Sequence, residues 1–155
     1  MIEKRTDEPS NIRKMNFETD LNQVKEIWLK WIEKTAPPLK SGESWETKLP
    51  NLEKEAKDSK NQKYVYKEDG IIKRFIIAGV LNGSPYLYEL YVDTQGKGIG
   101  KKLLDKIRKI YPYLNSHVYE SNPYLQFYLE HGFEVIDKHT CYDTGKMKFV
   151  IRWKK

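Results

Sequence analysis

Gly96, Gly98 and Gly100 stand at alternate positions within Gln95-Gly96-Lys97-Gly98-Ile99-Gly100. A strand pattern precedes them and a helical pattern follows. Glycine lets the backbone turn tightly and come close to a ligand. The N–H groups at the start of the following helix then favour an anion, phosphate among them. Two familiar phosphate loops do not fit. A Walker loop puts Gly where Gln95 stands and Ser or Thr where Lys102 stands, and the dinucleotide fingerprint puts Gly at Lys101. Glycines at a strand–helix corner also serve architecture alone, and the spacing leaves both readings open.

Two side chains nearby could move protons. Glu89 interrupts the apolar strand from Tyr86 to Val92. A carboxylate in such a setting, if buried, shifts in pKa and becomes a base candidate; on an exposed face or in an ion pair it is structural. Tyr128 completes the stripe Tyr124, Phe127, Tyr128, His131, so spacing alone makes it a core residue. Its phenol, with a pKa of about 10, is also neutral at pH 7 and able to donate to a departing anion. His117, His131 and His139 lack metal-ligand spacing, and one cysteine, Cys141, makes no zinc site, so no metal is expected. Cys141 carries no Cys-His signature and reads as inert. No serine nucleophile elbow is present.

The elements that must position these groups follow from periodicity. Ile12 to Met15 reads as a short strand. Asp20 reads as an N-cap, with Gln23 completing a capping box. Leu21, Val24, Ile27, Trp28 and Trp31 follow at helical spacing until Pro37 and Pro38. A second helical region between Ser44 and Ser59 is interrupted near Pro50. Strands follow at 64–66, 71–81 and 86–92, with turns at Asp69-Gly70 and Asn82-Gly83. In the third, Tyr86, Tyr88, Leu90 and Val92 share one face and Leu87, Glu89 and Tyr91 the other. The helix after the glycine loop buries Ile99, Leu103, Leu104, Ile107 and Ile110. Strand 117–119 leads to a helix capped by Asn122 with Pro123 first and closed by Gly132. A hairpin of 133–138 and 147–153 ends the chain. The order is βααβββαβαββ, an α/β (α+β) fold with a mixed, largely antiparallel central sheet flanked by helices, in one domain over 1–155.

At 155 residues with 11 Tyr, 5 Phe and 4 Trp, the chain holds enough to bury a core without staples. No apolar run approaches the ~20 residues of a membrane span. Met1-Ile2-Glu3-Lys4-Arg5 carries no apolar leader-like stretch, and a lone cysteine fits a reducing compartment, so a cytoplasmic protein is expected. The net charge of +6 arises wholly after residue 60, with Lys97, Lys101, Lys102, Lys106, Arg108 and Lys109 clustered against Asp105 alone. This reads either as a solvated helix face or as attraction of a polyphosphate ligand. A nucleic-acid module would use the same lysines, but no RNP-like aromatic motif or helix-turn-helix pair accompanies them.

The segment Tyr91-Val92 followed by Gln95 to Gly100 and Leu103-Leu104 resembles the acetyl-CoA-binding signature of the GNAT superfamily of N-acyltransferases. Asn122, Phe127-Tyr128 and Gly132-Phe133 resemble a second segment of that family, at its usual interval. The element order matches over nearly the whole chain, and Phe149 to Lys155 resembles the last strand of some small bacterial members. Only Asp93-Thr94 separate Val92 from Gln95, a shorter interval than is usual there, which implies a tighter corner.

The resemblance implies an acetyl-CoA-dependent N-acetyltransferase acting on a small-molecule or peptide amine by direct attack in a ternary complex. It further implies no nucleic-acid or membrane partner and a monomer or homodimer. Gln95, Gly96, Lys97, Gly98, Ile99, Gly100 and Lys101 would hold the pyrophosphate. Leu90, Tyr91 and Val92 would splay from their neighbour and pair with the pantetheine arm, a backbone N–H near Tyr91 polarising the thioester carbonyl. Asn122 would touch the same arm. Tyr128 would protonate the departing thiolate, and Glu89 would take the amine's proton directly or through water. A catalytically weak acyl-CoA-binding or sensor domain is the alternative of a different class.

Overall fold

A computed structural model describes residues 11–91 and 98–155. Seven strands form one sheet in the order β1-β2-β3-β4-β5-β7-β6. They are β1 (Ile12–Lys14), β2 (Gln62–Glu68), β3 (Ile71–Leu81), β4 (Ser84–Leu90), β5 (Tyr113–Tyr119), β6 (Phe133–Thr140) and β7 (Met147–Lys154). The helices are α1 (Phe17–Thr35), α2 (Leu49–Lys57), α3 (Ile99–Arg108) and α4 (Leu125–Glu130), with a 3-10 turn at Trp45–Lys48. Every neighbouring pair is antiparallel except β4 and β5, which run parallel and pair only at Tyr86 and Asn115. The order and the largely antiparallel sheet agree with the expectation.

The two faces of the sheet carry separate cores. Ile76, Ala78, Leu87, Leu90, Leu114 and Ile151 meet Leu103, Leu104 and Ile107 of α3 and Tyr128 of α4. Val65, Phe75 and Ile77 meet Val24 and Trp28 of α1 and Leu52 and Ala56 of α2. The run Phe75-Ile76-Ile77-Ala78 is therefore buried on both sides, which is why it reads as continuously apolar. Full burial of a leucine or isoleucine contributes about 1.5–3 kcal/mol. Both turns behave as expected: Asp69 and Gly70, then Asn82 and Gly83, all take positive φ, which right-twisted two-residue hairpins require.

Four local expectations need correction. Asn16, not Asp20, caps α1, its side chain accepting from Thr19 N–H at 3.2 Å. Asp20 lies inside the helix and is buried; it accepts from both Arg13 nitrogens (2.9 and 3.0 Å) and from Asn16 N–H (2.7 Å), tying β1 to α1. Gln23 reaches β3 instead, accepting from Ile72 N–H at 2.8 Å. The helical region between Ser44 and Ser59 does divide near Pro50: the 3-10 turn gives way to α2, and Pro50 lies in the first turn, where its missing N–H has no role. Asn122 does not cap α4: its Oδ1 accepts from Tyr124 N–H at 2.8 Å in a local turn, and the helix begins at Leu125. Ile110 lies past the end of α3 and is exposed. Finally, the strict alternation of β4 fails, because the β3–β4 register shifts between Ile77 and Ala78 and leaves Tyr88 bulged. Leu87 and Leu90 consequently share one core, while Tyr88 and Tyr91 pack on the other.

Candidate active site

Beyond Tyr86 and Asn115 the two parallel strands part. Ser116 Oγ donates to Leu87 O at 2.8 Å, so a side chain replaces the ladder bond there. Tyr91 N–H donates to Phe75 O at 3.1 Å. The alternation of strand N–H groups then turns the Leu90 N–H away from β3, toward the gap. The Tyr91 amide is thus committed to β3, and Leu90 becomes the oxyanion donor candidate in its place.

The gap opens into a cleft of about 260 Å³ lined by Trp28, Trp31, Trp45, Glu55, Glu89 and Tyr128 among others. Glu89 forms its floor, enclosed by protein yet reachable from the cleft. Trp28 Nε1 donates to Glu89 Oε1 at 3.0 Å. The carboxyl of Glu55, from α2, lies against that of Glu89. Burial pushes Glu89 well above the usual carboxylate range, and the Glu55 charge and hydrogen bond push it further, against weaker opposition from Trp28 and Lys148. Burial raises Glu55 too, while its hydrogen bond with Glu89 pulls it down. Two carboxyls in this contact oppose each other's ionisation.

Tyr128 faces the cleft from α4 and is also a core residue, edge-on to Phe127 and Phe133 at 5.5 Å each. Both sequence readings of this residue therefore hold at once. Burial raises its phenol pKa, with smaller contributions from Glu89 and Tyr86, so the proton stays on. Also in the lining, the Tyr86 hydroxyl is hydrogen-bonded to His117 Nδ1 at 2.6 Å. Burial, then the charges of Lys148 and His139, lower the His117 pKa.

At the mouth of α3, Gly98 is the N-cap with φ +72°, in the left-handed region that suits glycine. The first backbone bond within the helix runs from Lys102 N–H to Gly98 O at 3.0 Å. The N–H groups of Ile99, Gly100 and Lys101 thus have no partner inside the helix, and no carboxylate lies in its first turn. Such a terminus suits a phosphate.

The model of the acetyltransferase (GNAT) domain family matches residues 34–149. This chain belongs to the GNAT acetyltransferase family. It is 27% identical over 138 residues to the peptidyl-lysine N-acetyltransferase YiaC of Escherichia coli K12, covering 87% of this chain and 91% of that one. In fold it is similar to the PaiA N-acetyltransferase of Thermoplasma acidophilum solved with coenzyme A, with TM-score 0.71, 24% identity and coverage of 93% and 98%. It is also similar to the ribosomal-protein-S18-alanine N-acetyltransferase of Escherichia coli, with TM-score 0.63, 18% identity and 92% of each chain covered.

Of the residues assigned from the GNAT motifs, Val92, Gln95, Gly96 and Lys97 lie outside the described residues. Glu89, Leu90, Asn122 and Tyr128 meet at the cleft, and Gly98, Ile99, Gly100 and Lys101 form the first turn of α3 with its N-cap. The basic cluster divides. Arg108 is structural, bonded to Asp105 (2.6 Å) and His131 O (2.6 Å) and lying over Trp153, while Lys101 pairs with Asp105 at 2.8 Å. Cys141 is not itself in the cleft lining but touches it, its Sγ 3.4 Å from the hydroxyl of the lining residue Tyr119. Sequence reasoning missed Glu55 and the Tyr86–His117 pair. Glu55 had a signal: it follows Leu52 by three positions and precedes Ala56, so a carboxylate shares the buried stripe of α2. Tyr86 and His117 had none, being 31 residues apart on strands joined only by the fold. Among the described residues, no helix is long and apolar enough to cross a membrane.

Proposed function

We propose that this protein transfers an acetyl group from acetyl-CoA to a primary amine, by direct attack within a ternary complex in one acetyltransferase domain. The observation that carries this reading is the cleft where β4 leaves β5, with the Glu89 carboxyl at its floor and the Tyr128 phenol on its wall. The thioester supplies an activated acyl carbon. The chain supplies the rest. The Leu90 N–H, turned to the gap, is positioned to donate to the thioester oxygen. Glu89 accepts the amine proton, and its raised pKa brings it closer to that of an amine than an ordinary carboxylate. Tyr128 keeps its proton until a thiolate needs it. The N–H groups at the mouth of α3 support pyrophosphate binding there, with Asn122 alongside the pantetheine arm.

The acceptors in the relatives' names differ, a peptide lysine in one and a ribosomal-protein alanine in another, and the shared feature is a primary amine. A small-molecule or peptide amine is the acceptor class proposed here. Release of free coenzyme A from acetyl-CoA, measured across small amines, amino acids and blocked peptides, tests the reading. Amine-dependent release is the expected result. Binding of acetyl-CoA without turnover of any amine would leave a sensor domain as the better account.

A further inference from the structure

Glu55 belongs to neither sequence motif, yet it lines the cleft beside Glu89. It lies on α2 between the buried Leu52 and Ala56. Its Oε1 has no hydrogen-bond donor among the described residues. A proton shared with the adjoining Glu89 carboxyl satisfies at most one of the two Glu55 oxygens. Trp31, 9% exposed and lining the same cleft, has an indole Nε1 with no acceptor among the described residues. Trp28 has no such deficit, since Glu89 accepts from it. Thus one orphaned acceptor and one orphaned donor, both buried, line one cleft. Such groups cost free energy until something pairs with them.

We propose that Glu55 is an acceptor-recognition residue: with Glu89 it takes the ammonium group of a primary alkylamine whose chain runs between Trp28, Trp31 and Trp45. The inference rests on the acetyl-transfer reading above. Three features select this class. The ammonium supplies the donor that Glu55 Oε1 lacks. Aromatic walls attract a cation and its alkyl stem alike. An amide carbonyl or hydroxyl a few bonds away supplies the acceptor that Trp31 Nε1 lacks. An arylamine, neutral at pH 7, gives the carboxyl pair no charge to bind, and a free amino acid brings a carboxylate against it.

The proton count closes. Take the empty pair with one proton and one negative charge. The entering ammonium passes one N–H proton to the pair and becomes a neutral amine. Its nitrogen forms the C–N bond as the C–S bond breaks. A second proton leaves the nitrogen for water, the pair being already doubly protonated, and the thiolate gains one from Tyr128, which water reprotonates. The pair then returns its extra proton to water, so ammonium and thioester yield amide, thiol and one proton. Tyr86 and Tyr88 of β4, His117 of β5, Lys148 of β7 and Tyr128 of α4 face the same space, as do Lys48 and Asp143.

Steady-state kinetics with acetyl-CoA and three probes test this: Nα-acetyl-lysine methylamide, aniline and glycine. The lysine derivative is the expected best acceptor. Glu55→Gln is expected to raise its KM by about 10–100-fold, the weight of a hydrogen bond to a charged group. The KM for acetyl-CoA should not change. The acid limb of kcat/KM should move to lower pH, because Glu89 loses its like-charged neighbour. Glu55→Asp, which keeps the charge but retracts it, should fall between the two and serves if Glu55→Gln does not fold. An unchanged acceptor KM with superimposable pH profiles overturns the role of Glu55. Preference for aniline or glycine overturns the acceptor class while acetyl transfer stands. If acetyl-CoA binds and no amine is acetylated, the parent reading fails instead.

Discussion

Replacing Tyr128 by Phe removes one oxygen and leaves the ring. The ring is 4% exposed and packs edge-on between Phe127 and Phe133, contacts that Phe keeps. Among the described residues the phenol has no hydrogen-bond partner, so the substitution strands no buried group. The stability change should therefore stay below the ~1 kcal/mol of a typical lost hydrogen bond. For a domain of this size that is a shift in Tm of a few degrees at most. Catalysis should respond very differently. If the phenol protonates the departing thiolate, turnover should fall by about 10–1000-fold, spanning the lower part of the usual general-acid contribution. Because the Tyr128 pKa is raised, the phenol remains protonated through the whole assay range. The loss should then be a constant factor from acid to alkaline pH, and the KM for acetyl-CoA should barely move. The assay is initial-rate thiol release at saturating acetyl-CoA, with a melting curve on the same preparation. A thioester with a more acidic leaving thiol adds a second readout, since a better leaving group needs less proton assistance and should shrink the defect. Turnover close to wild type, or a defect indifferent to the leaving group, refutes the acid role and leaves Tyr128 as packing.

Glu89→Gln should abolish the acid limb of kcat/KM, where rate rises with pH as the carboxyl loses its proton; superimposable profiles would assign the base elsewhere. The same variant tests linkage. A carboxyl raised in the folded state stabilises below its unfolded pKa and loses that contribution as pH rises through the raised value, so Glu89→Gln should raise Tm at pH 8 relative to wild type more than at pH 5. Asp20→Asn should cost about 1–3 kcal/mol by unfolding in urea, toward the lower end because Arg13 is 41% exposed; no loss would show that the pair contributes nothing to α1 docking. The Asp20 carboxyl is lowered, Arg13 and Asn16 outweighing burial, so its contribution is present above the unfolded pKa and is lost as pH falls through the folded one. Gly98→Val should strain a backbone held at φ +72° by about 1–2 kcal/mol and remove the rise in Tm produced by coenzyme A; Gly98→Asn, which tolerates that backbone, should lessen the strain, and a full coenzyme A response in Gly98→Val would remove α3 from the binding site.

The architecture was legible because most elements obey a single period. β3 and α3 show it: a continuous apolar run reads as a strand buried on two faces, and Leu103, Leu104 and Ile107 read as one stripe. The misreadings occur where a tertiary partner outbids the local rule. Asp20 has the composition of a cap but is claimed by Arg13 from β1. Asn122 has the composition of a cap but closes its own turn first. Tyr88 sits in a bulge that period-two counting cannot see, so Leu87 and Leu90 end on one face. The carboxyl pair is the same kind of case, since Glu55 and Glu89 meet only when α2 lies across β4.

The placement of the chemistry follows from one exception in the sheet. β4 and β5 are its only parallel neighbours among the described strands, and parallel neighbours need a crossover. Here that crossover holds α3, so the helix N-terminus must follow the C-terminal end of β4. The same pair is joined at one position and then diverges, leaving the Leu90 N–H and a cleft beside β4. A helix N-terminus suited to an anion and a strand edge open beyond Tyr86 are thus consequences of a single connection. That connection also explains why a short glycine motif carried so much information: it marks the crossover, and the crossover fixes the site. Nothing in it constrains α2, and for that reason the part of the cleft lined by Glu55 and the three tryptophans had to be read from packing.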